Sequence, residues 1–347
     1  MSVAEICQSL EEWFGEAMRP LPWRVEPREP YWSLVSEFML QQTQVSRVLE
    51  KFGPFVERFP NVESLAAASE ESVLGAWSGL GYYRRARMLH GCAQAIVERH
   101  GGVIPRDVEE LMALPGIGRY TAGAMASMVF GEREPLVDGN VMRVLQRLEN
   151  NSDQQTDSKT IKWAWARAGA LVEASGSPGV LNEALMELGA TVCSPKRIGC
   201  DRCPVAGFCE SLKAGTTESV PPPKPRAKRK GLFCASVLCV DDAGRVLFEQ
   251  RPVDGMWGSM WQVPTVELDE PPTTEQVGEG MALIESFVHQ TTHRIVRFDV
   301  YRGIGLVAGG GQSYLSVGEI LKLGVSNAQK RILGLDESVR RALAVEV

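Results

Sequence analysis

Two domains of different class are predicted, an all-α domain over residues 1–212 and an α+β domain over 232–347. Three features predict this division. Apolar residues recur at helical spacing through the first region, and four cysteines cluster at its end. Beyond a basic, proline-rich stretch at 213–231 the pattern changes to the alternation of strands. A chain of 347 residues is long for one core and sufficient for two.

The composition, 44% hydrophobic and 23% charged, is that of a soluble globular chain. No apolar run approaches membrane-spanning length. The opening MSVAEICQSLEEWF is acidic and amphipathic, unlike a secretory or basic transit signal. A cytoplasmic location is expected, nucleoid-associated in a bacterium, with no membrane partner. The net charge of −6 means that any affinity for nucleic acid must come from local patches and backbone amides. Four of the eight cysteines are clustered, which favours metal binding over a disulfide framework.

In chain order, Val3, Ile6, Cys7, Leu10, Trp13 and Phe14 predict a helix over 3–18, and PLPWR (Pro20–Arg24) breaks it. From Tyr31 a helical stripe follows: Leu34, Val35, Phe38, Val45 and Val48. Glu37 lies in this apolar stretch with no cation adjacent in sequence. One reading places it on the helix's wet side. The other is a carboxyl in an apolar pocket, where desolvation favours the proton-donating form that suits a general acid. Further on, Arg84, Arg85 and Arg87 begin a basic helix after GLGYY, either a solvated face or a phosphate contact.

The stretch Leu114–Asn140 (LPGIGRYTAGAMASMVFGEREPLVDGN) reads as helix, tight hairpin, helix. Pro115 disfavours helix at Leu114, and Gly116 and Gly118 permit positive φ. The small, apolar run Arg119–Phe130 then forms a helix whose N-terminus is a ready anion site. Asp138 precedes the periodic Val141, Val144, Leu145 and Leu148, so it is expected to N-cap the next helix. A cap alone explains it; a carboxylate at the mouth of a cleft is the functional alternative.

Two more helices are expected over 159–192, with Glu183 one turn before Glu187 on the same face. Cys193, Cys200, Cys203 and Cys209 follow in a C-x6-C-x2-C-x5-C pattern, a strong metal signal that spacing alone leaves open between zinc and an iron–sulfur cluster. Lys196, Arg197 and Arg202 make this loop basic, while Cys7, Cys92, Cys234 and Cys239 are isolated and read as core thiols. The linker at 213–231 is stiffened by Pro221–Pro223 and Pro225 and charged by Lys224–Lys230. After it, FCASVLCV and RVLFEQR predict a hairpin around Asp241–Gly244, then a helix over 273–288 and a strand over Arg294–Gly303.

SEFMLQQTQV, GLGYYRRARML, LPGIGRYTA and VDGNVMRV together resemble the MutY-type adenine DNA glycosylases of the helix-hairpin-helix superfamily. The resemblance implies a base excision repair enzyme that acts on double-stranded DNA as a monomer and removes adenine opposite 8-oxoguanine or guanine. Its fold would be an all-α helix-hairpin-helix glycosylase domain, with a six-helix barrel over about 24–130 and an iron–sulfur subdomain of 1–23 plus 131–212. An α+β Nudix-like domain would complete it. Glu37 would protonate the adenine, Asp138 would stabilise the sugar cation with Tyr120 alongside, and Glu183 would hydrogen-bond the adenine edge. Leu40, Gln41 and Gln42 would fill the gap left by the extruded base, Tyr82 would stack beside the lesion, and Gly116, Gly118 and Asn140 would face the DNA. Where the endonuclease III type has a Schiff-base lysine, this sequence has Tyr120, which implies a monofunctional enzyme. The cysteine pattern matches the four-iron–four-sulfur (4Fe-4S) loop of both types, which selects that cluster over zinc. In the C-terminal domain the metal-binding Nudix box is absent, and Thr291-Thr292-His293 stands where the family has Phe-Ser-His, with Thr292 and His293 as the lesion-reading positions. The alternatives are a related thymine or uracil mismatch glycosylase and a non-catalytic iron–sulfur DNA-binding protein.

Overall fold

The computed structural model describes residues 2–223, 229–273, 281–291 and 293–345. Its contacts divide the chain into two compact units, Met1–Ala67 with Met88–Pro225, and Ala68–Arg87 with Arg226–Val347.

The first unit is helical. Helix α1 (Val3–Ala17) starts at a capping box in which Ser2 and Glu5 satisfy each other's backbone N–H groups. It buries Cys7, Leu10 and Phe14 against Leu171, Leu181, Leu185 and Leu188 of two later helices, α10 (Ser158–Ala174) and α11 (Pro178–Thr191). Helix α2 (Pro30–Leu40) has a proline in its first turn and Glu29 as cap, and buries nearly every side chain it carries. The chain then turns through Gln42, at φ 58°, before α3 (Val45–Arg58). The expected stripe from Leu34 to Val48 therefore belongs to two helices, because the polar run Gln41–Gln44 offers no apolar face to continue the first.

In chain order α4 (Val62–Ala67), α5 (Glu70–Ala76), α6 (Arg84–His100) and α7 (Val108–Met112) follow, and the hairpin then leads into α8 (Arg119–Ala124), which continues as a wider π turn over Met125–Val129. Ser127 Oγ donates to Gly123 O at 2.7 Å and accepts from Asn182 Nδ2 at 2.8 Å, which secures this turn to α11. Of the two hairpin glycines, Gly116 has φ 77°, and a methyl there would stand 2.6 Å from Met88 Cβ and 2.8 Å from Phe38 Cε1. Gly118 departs from expectation. It is extended, at φ −97°, as the residue that opens α8. Helix α9 (Gly139–Leu148) starts at Asp138, which caps it as predicted.

The second unit holds a four-stranded sheet ordered β4-β1-β6-β5 and a three-stranded sheet ordered β3-β2-β7. In the first, β1 (Lys230–Cys239) pairs parallel to β6 (Arg294–Gly303), flanked by β4 (Thr265–Leu268) and β5 (Ala282–Gln290). In the second, β2 (Val246–Gln250) lies between β3 (Trp261–Gln262) and β7 (Gln312–Leu315). Leu238, Phe248, Phe298 and Val300 join Ile332 from a C-terminal helix in the core.

The strands around Asp241–Gly244 meet only at the Val240–Val246 bridge and then part into different sheets. The predicted helix over 273–288 is a strand at Ala282–Gln290, with 274–280 outside the described residues. Its ALIESFVHQ is rich in β-branched and aromatic residues, and that propensity prevailed.

Candidate active site

A cleft of about 520 Å³ opens in the first unit, lined by Glu37, Leu40, Gln41, Gln42, Tyr120, Asp138, Asn140 and Glu183 of the residues singled out from the sequence. Glu37 comes from the last turn of α2 and is 6% exposed. Burial among apolar neighbours pushes its carboxyl up to about 7, helped by the nearby Asp138 and Glu183 and opposed by the Tyr120 hydroxyl and by Arg24. The carboxyl is therefore poised to hold a proton near neutrality.

Across the cleft, Asp138 is fixed by its duty as a cap. Its Oδ1 accepts from the backbone N–H groups of Asn140 at 2.8 Å and Val141 at 2.7 Å, and Asn140 Nδ2 donates to its Oδ2 at 2.8 Å. Burial pushes its carboxyl above the usual range, while these donors and Arg143 pull it back. Tyr120, in the first turn of α8, places its hydroxyl 3.3 Å from Met186 Sδ and within donating reach of Glu37.

Glu183 and Glu187 project from one face of α11, as predicted, but both are buried and both are paired. Arg24 Nε donates to Glu183 at 3.0 Å and Arg28 Nη2 at 2.6 Å, so both carboxylate oxygens are held. Arg24 Nη2 reaches Glu187 at 3.0 Å, and Arg19 completes that carboxylate's bonding. Burial raises Glu183 against the pull of Arg28 and Arg24. Leu40, Gln41, Gln42 and Asn140 line the same cleft.

The residues 35–168 match the HhH-GPD superfamily of base excision DNA repair proteins, and 235–335 match the NUDIX domain family. The human adenine DNA glycosylase is 35% identical over 310 residues, which is 74% of this chain and 57% of the human protein. The adenine DNA glycosylase of Mycolicibacterium smegmatis is 41% identical over 216 residues, 62% of this chain and 71% of that protein. The chain belongs to the adenine DNA glycosylase family. Among solved structures, a thermostable thymine-DNA glycosylase matches with a TM-score of 0.55 at 25% identity, covering 60% of this chain and 95% of that one. The chain spans less than two thirds of the length of the mammalian relatives, 57% of the human protein and 60% of the rat protein.

The four clustered cysteines of this glycosylase-family chain line one small cavity, with Arg147 and Val192 beside them. Arg147 donates to Cys193 Sγ at 3.3 Å and to Cys193 O at 3.1 Å, a cation suited to balancing thiolate charge. Burial raises the thiols of Cys200, Cys203 and Cys209, with Cys193 among the groups that add to it. Four cysteines that converge on one cavity with a cation beside them fit an iron–sulfur cluster. Cys7, Cys92, Cys234 and Cys239 are buried in cores, as expected.

Other candidates lie elsewhere. Tyr82 belongs to the second unit, at φ 48° and 43% exposed, with its ring 5.4 Å from the Arg85 guanidinium. Arg85 itself is buried, also 5.4 Å from the Trp77 ring and donating to Gly81 O at 3.2 Å. It is therefore no part of a solvated basic face. His293 is exposed at the start of β6, and Thr292 lies outside the described residues. Sequence reasoning missed Arg19, Arg24, Arg28, Met186 and the pairing of Glu187. PLPWR reads as a breaker with an aromatic, and only the i, i+4 pair Glu183 and Glu187 hinted that buried cations were needed to answer it.

Proposed function

We propose that the protein is a monofunctional DNA glycosylase of base excision repair that hydrolyses the N-glycosidic bond of adenine opposite 8-oxoguanine or guanine. The observation that carries this reading is a pair of carboxyls in one cleft. Glu37 is able to hold a proton near neutrality, and Asp138 is fixed by donors that favour its charge. Glycosidic cleavage uses one carboxyl of each kind.

In this reading the adenine is extruded into the cleft and its edge is bound by Glu183. Glu37 gives its proton to the purine ring, so the base leaves neutral. Asp138 stabilises the oxocarbenium-like sugar with Tyr120 alongside, and water then adds to the sugar. Tyr120 forms no Schiff base, so the strand stays intact and an abasic site remains. Leu40, Gln41 and Gln42 occupy the gap in the duplex, Tyr82 stacks beside the lesion, and the hairpin at Gly116 and Gly118, with Asn140, faces the backbone. Thr292 and His293 of the Nudix-like domain read the opposite 8-oxoguanine. The enzyme works as a monomer on double-stranded DNA.

Cys193, Cys200, Cys203 and Cys209 would hold a 4Fe-4S cluster. The four cysteines share one cavity in the C-x6-C-x2-C-x5-C spacing, which supports the cluster.

The test is single-turnover incubation with a labelled duplex carrying adenine opposite 8-oxoguanine, read with and without alkali. Alkali-dependent cutting is expected from the wild type. No release of adenine, or release of thymine from a mismatch instead, would overturn the reading.

A further inference from the structure

The cleft holds a fully buried carboxylate that the proposed chemistry leaves without a task. Glu187 is 1% exposed in its side chain, lies one turn beyond Glu183 on α11 at the wall of the cleft, and has both carboxylate oxygens taken up by Arg19 and Arg24. Its partner Arg24 is held at three points, and Glu187 is the one that fixes Nη2. Nε donates to Glu183 at 3.0 Å, Nη1 to Arg19 O at 3.2 Å and Nη2 to Glu187 at 3.0 Å. Without Glu187 the guanidinium would keep Glu183 and Arg19 O but leave Nη2 untethered. With Glu187 all three nitrogens are placed, and Nε is directed at Glu183.

The charges around Glu37 give the arrangement a second consequence. The groups facing Glu37 are Tyr120 from α8, Asp138 from the start of α9, Glu183 from α11 and Arg24 from the segment before α2. Arg24 is the one cation among them, and an uncompensated cation beside a general acid favours loss of its proton. Glu183 and Glu187 together supply the compensating charge, and Arg19, which shares Glu187 Oε2 with Arg24, draws on the Glu187 part of it.

We propose that Glu187 is a positioning residue for base release, holding Arg24 toward Glu183 and offsetting the charge of Arg24 beside Glu37. This rests on Glu37 as the general acid of an adenine glycosylase. Glu187 contacts neither base nor sugar in this scheme and acts through Arg24.

The experiment is the pH profile of single-turnover adenine release from a duplex with adenine opposite 8-oxoguanine, for full-length wild type, Glu187→Gln, Glu187→Asp and Arg19→Gln. Release needs Glu37 protonated, so the wild-type rate falls on the basic side. In Glu187→Gln the basic limb moves to lower pH by about half a unit to one unit. At pH 8 its rate, scaled to its own acidic plateau, is then about three- to tenfold below wild type. Glu187→Asp restores the limb. Arg19→Gln moves it the other way, since Glu187 then answers Arg24 alone. A role confined to folding lowers plateaus without moving limbs in opposite directions. Folded variants that release adenine with the wild-type limb overturn the proposal and leave the glycosylase reading standing. Wild type that releases no adenine removes the glycosylase reading itself. Should Glu187→Gln not fold, the direction of the Arg19→Gln shift decides.

Discussion

Gly189→Ala tests how closely the packing of α11 controls the Asp138 carboxylate. Gly189 lies against the first turn of α9, where an added methyl would stand 2.6 Å from Asn140 Cβ and 3.0 Å from its Cα and O. Backbone atoms cannot swing aside as a side-chain tip can, so α9 and α11 must separate by several tenths of an ångström. Asn140 is also the residue whose side chain donates to Asp138 and accepts from Arg143 Nη2 at 2.9 Å, while Arg143 Nη2 donates to Gly189 O at 2.8 Å. The strain of an overfilled contact is about 1–3 kcal/mol. For a unit of this size that lowers Tm by about 3–10 °C. Displacing Asp138 from the sugar should slow base release by about 10- to 100-fold. Gly169→Ala is the control. It sits in α10 with nothing within 4 Å of the added methyl, and should stabilise by about 0.5–1 kcal/mol through helix propensity. The assays are thermal unfolding by circular dichroism and single-turnover release. A Gly189→Ala protein with wild-type Tm and rate would refute the argument, as would equal losses in both variants.

Glu37→Gln removes the proton donor and should slow release by about 10²- to 10⁴-fold without lowering Tm; retention of a tenth of the activity would count against Glu37 as the acid. Because burial lifts Glu37 to about 7, its proton is present below that pH and lost above it. The wild-type rate should therefore fall about tenfold per pH unit on the basic side, and a rate flat from pH 6 to 9 would contradict it. Cys200→Ser should lose bound iron, measured by metal analysis and visible absorbance, together with solubility; a soluble, fully active, iron-free protein would rule out an essential structural cluster. Gly116→Ala forces a side chain into positive φ and against Met88, so urea unfolding should show a loss of about 2 kcal/mol or more, with weaker duplex binding by anisotropy.

What the sequence reveals follows how local each signal is. The start of α9 was legible because Asp138 is both the cap and the first residue before an apolar period, so one residue carries both messages. Glu37 was half legible. An apolar neighbourhood suggested burial, but the arginine that opposes its proton lies 13 positions upstream in a segment without periodicity. Such long-range pairing leaves no mark on either segment alone, and so Arg24 and Glu187 were missed. In the second unit, the strands FCASVLCV, RVLFEQR and Arg294–Gly303 were readable from alternation, but their partners were not. Nothing in FCASVLCV announces that its neighbours are Arg294–Gly303, parallel, and Thr265–Leu268, antiparallel. ALIESFVHQ misled because its apolar spacing satisfies both a helix and a strand.

The packing of α1 has a consequence for the newborn chain. Cys7 Sγ donates to Leu171 O across 164 positions, and Leu10 and Phe14 find their neighbours in the same late helices. At a synthesis speed of about 5–20 residues per second, α1 leaves the ribosome roughly 10–30 s before those neighbours exist. During that interval its apolar stripe has nothing native to cover it, and a lone 15-residue helix is marginal in water. The helices between are free to form in that interval, whereas α1 docks only when α10 and α11 arrive to receive it.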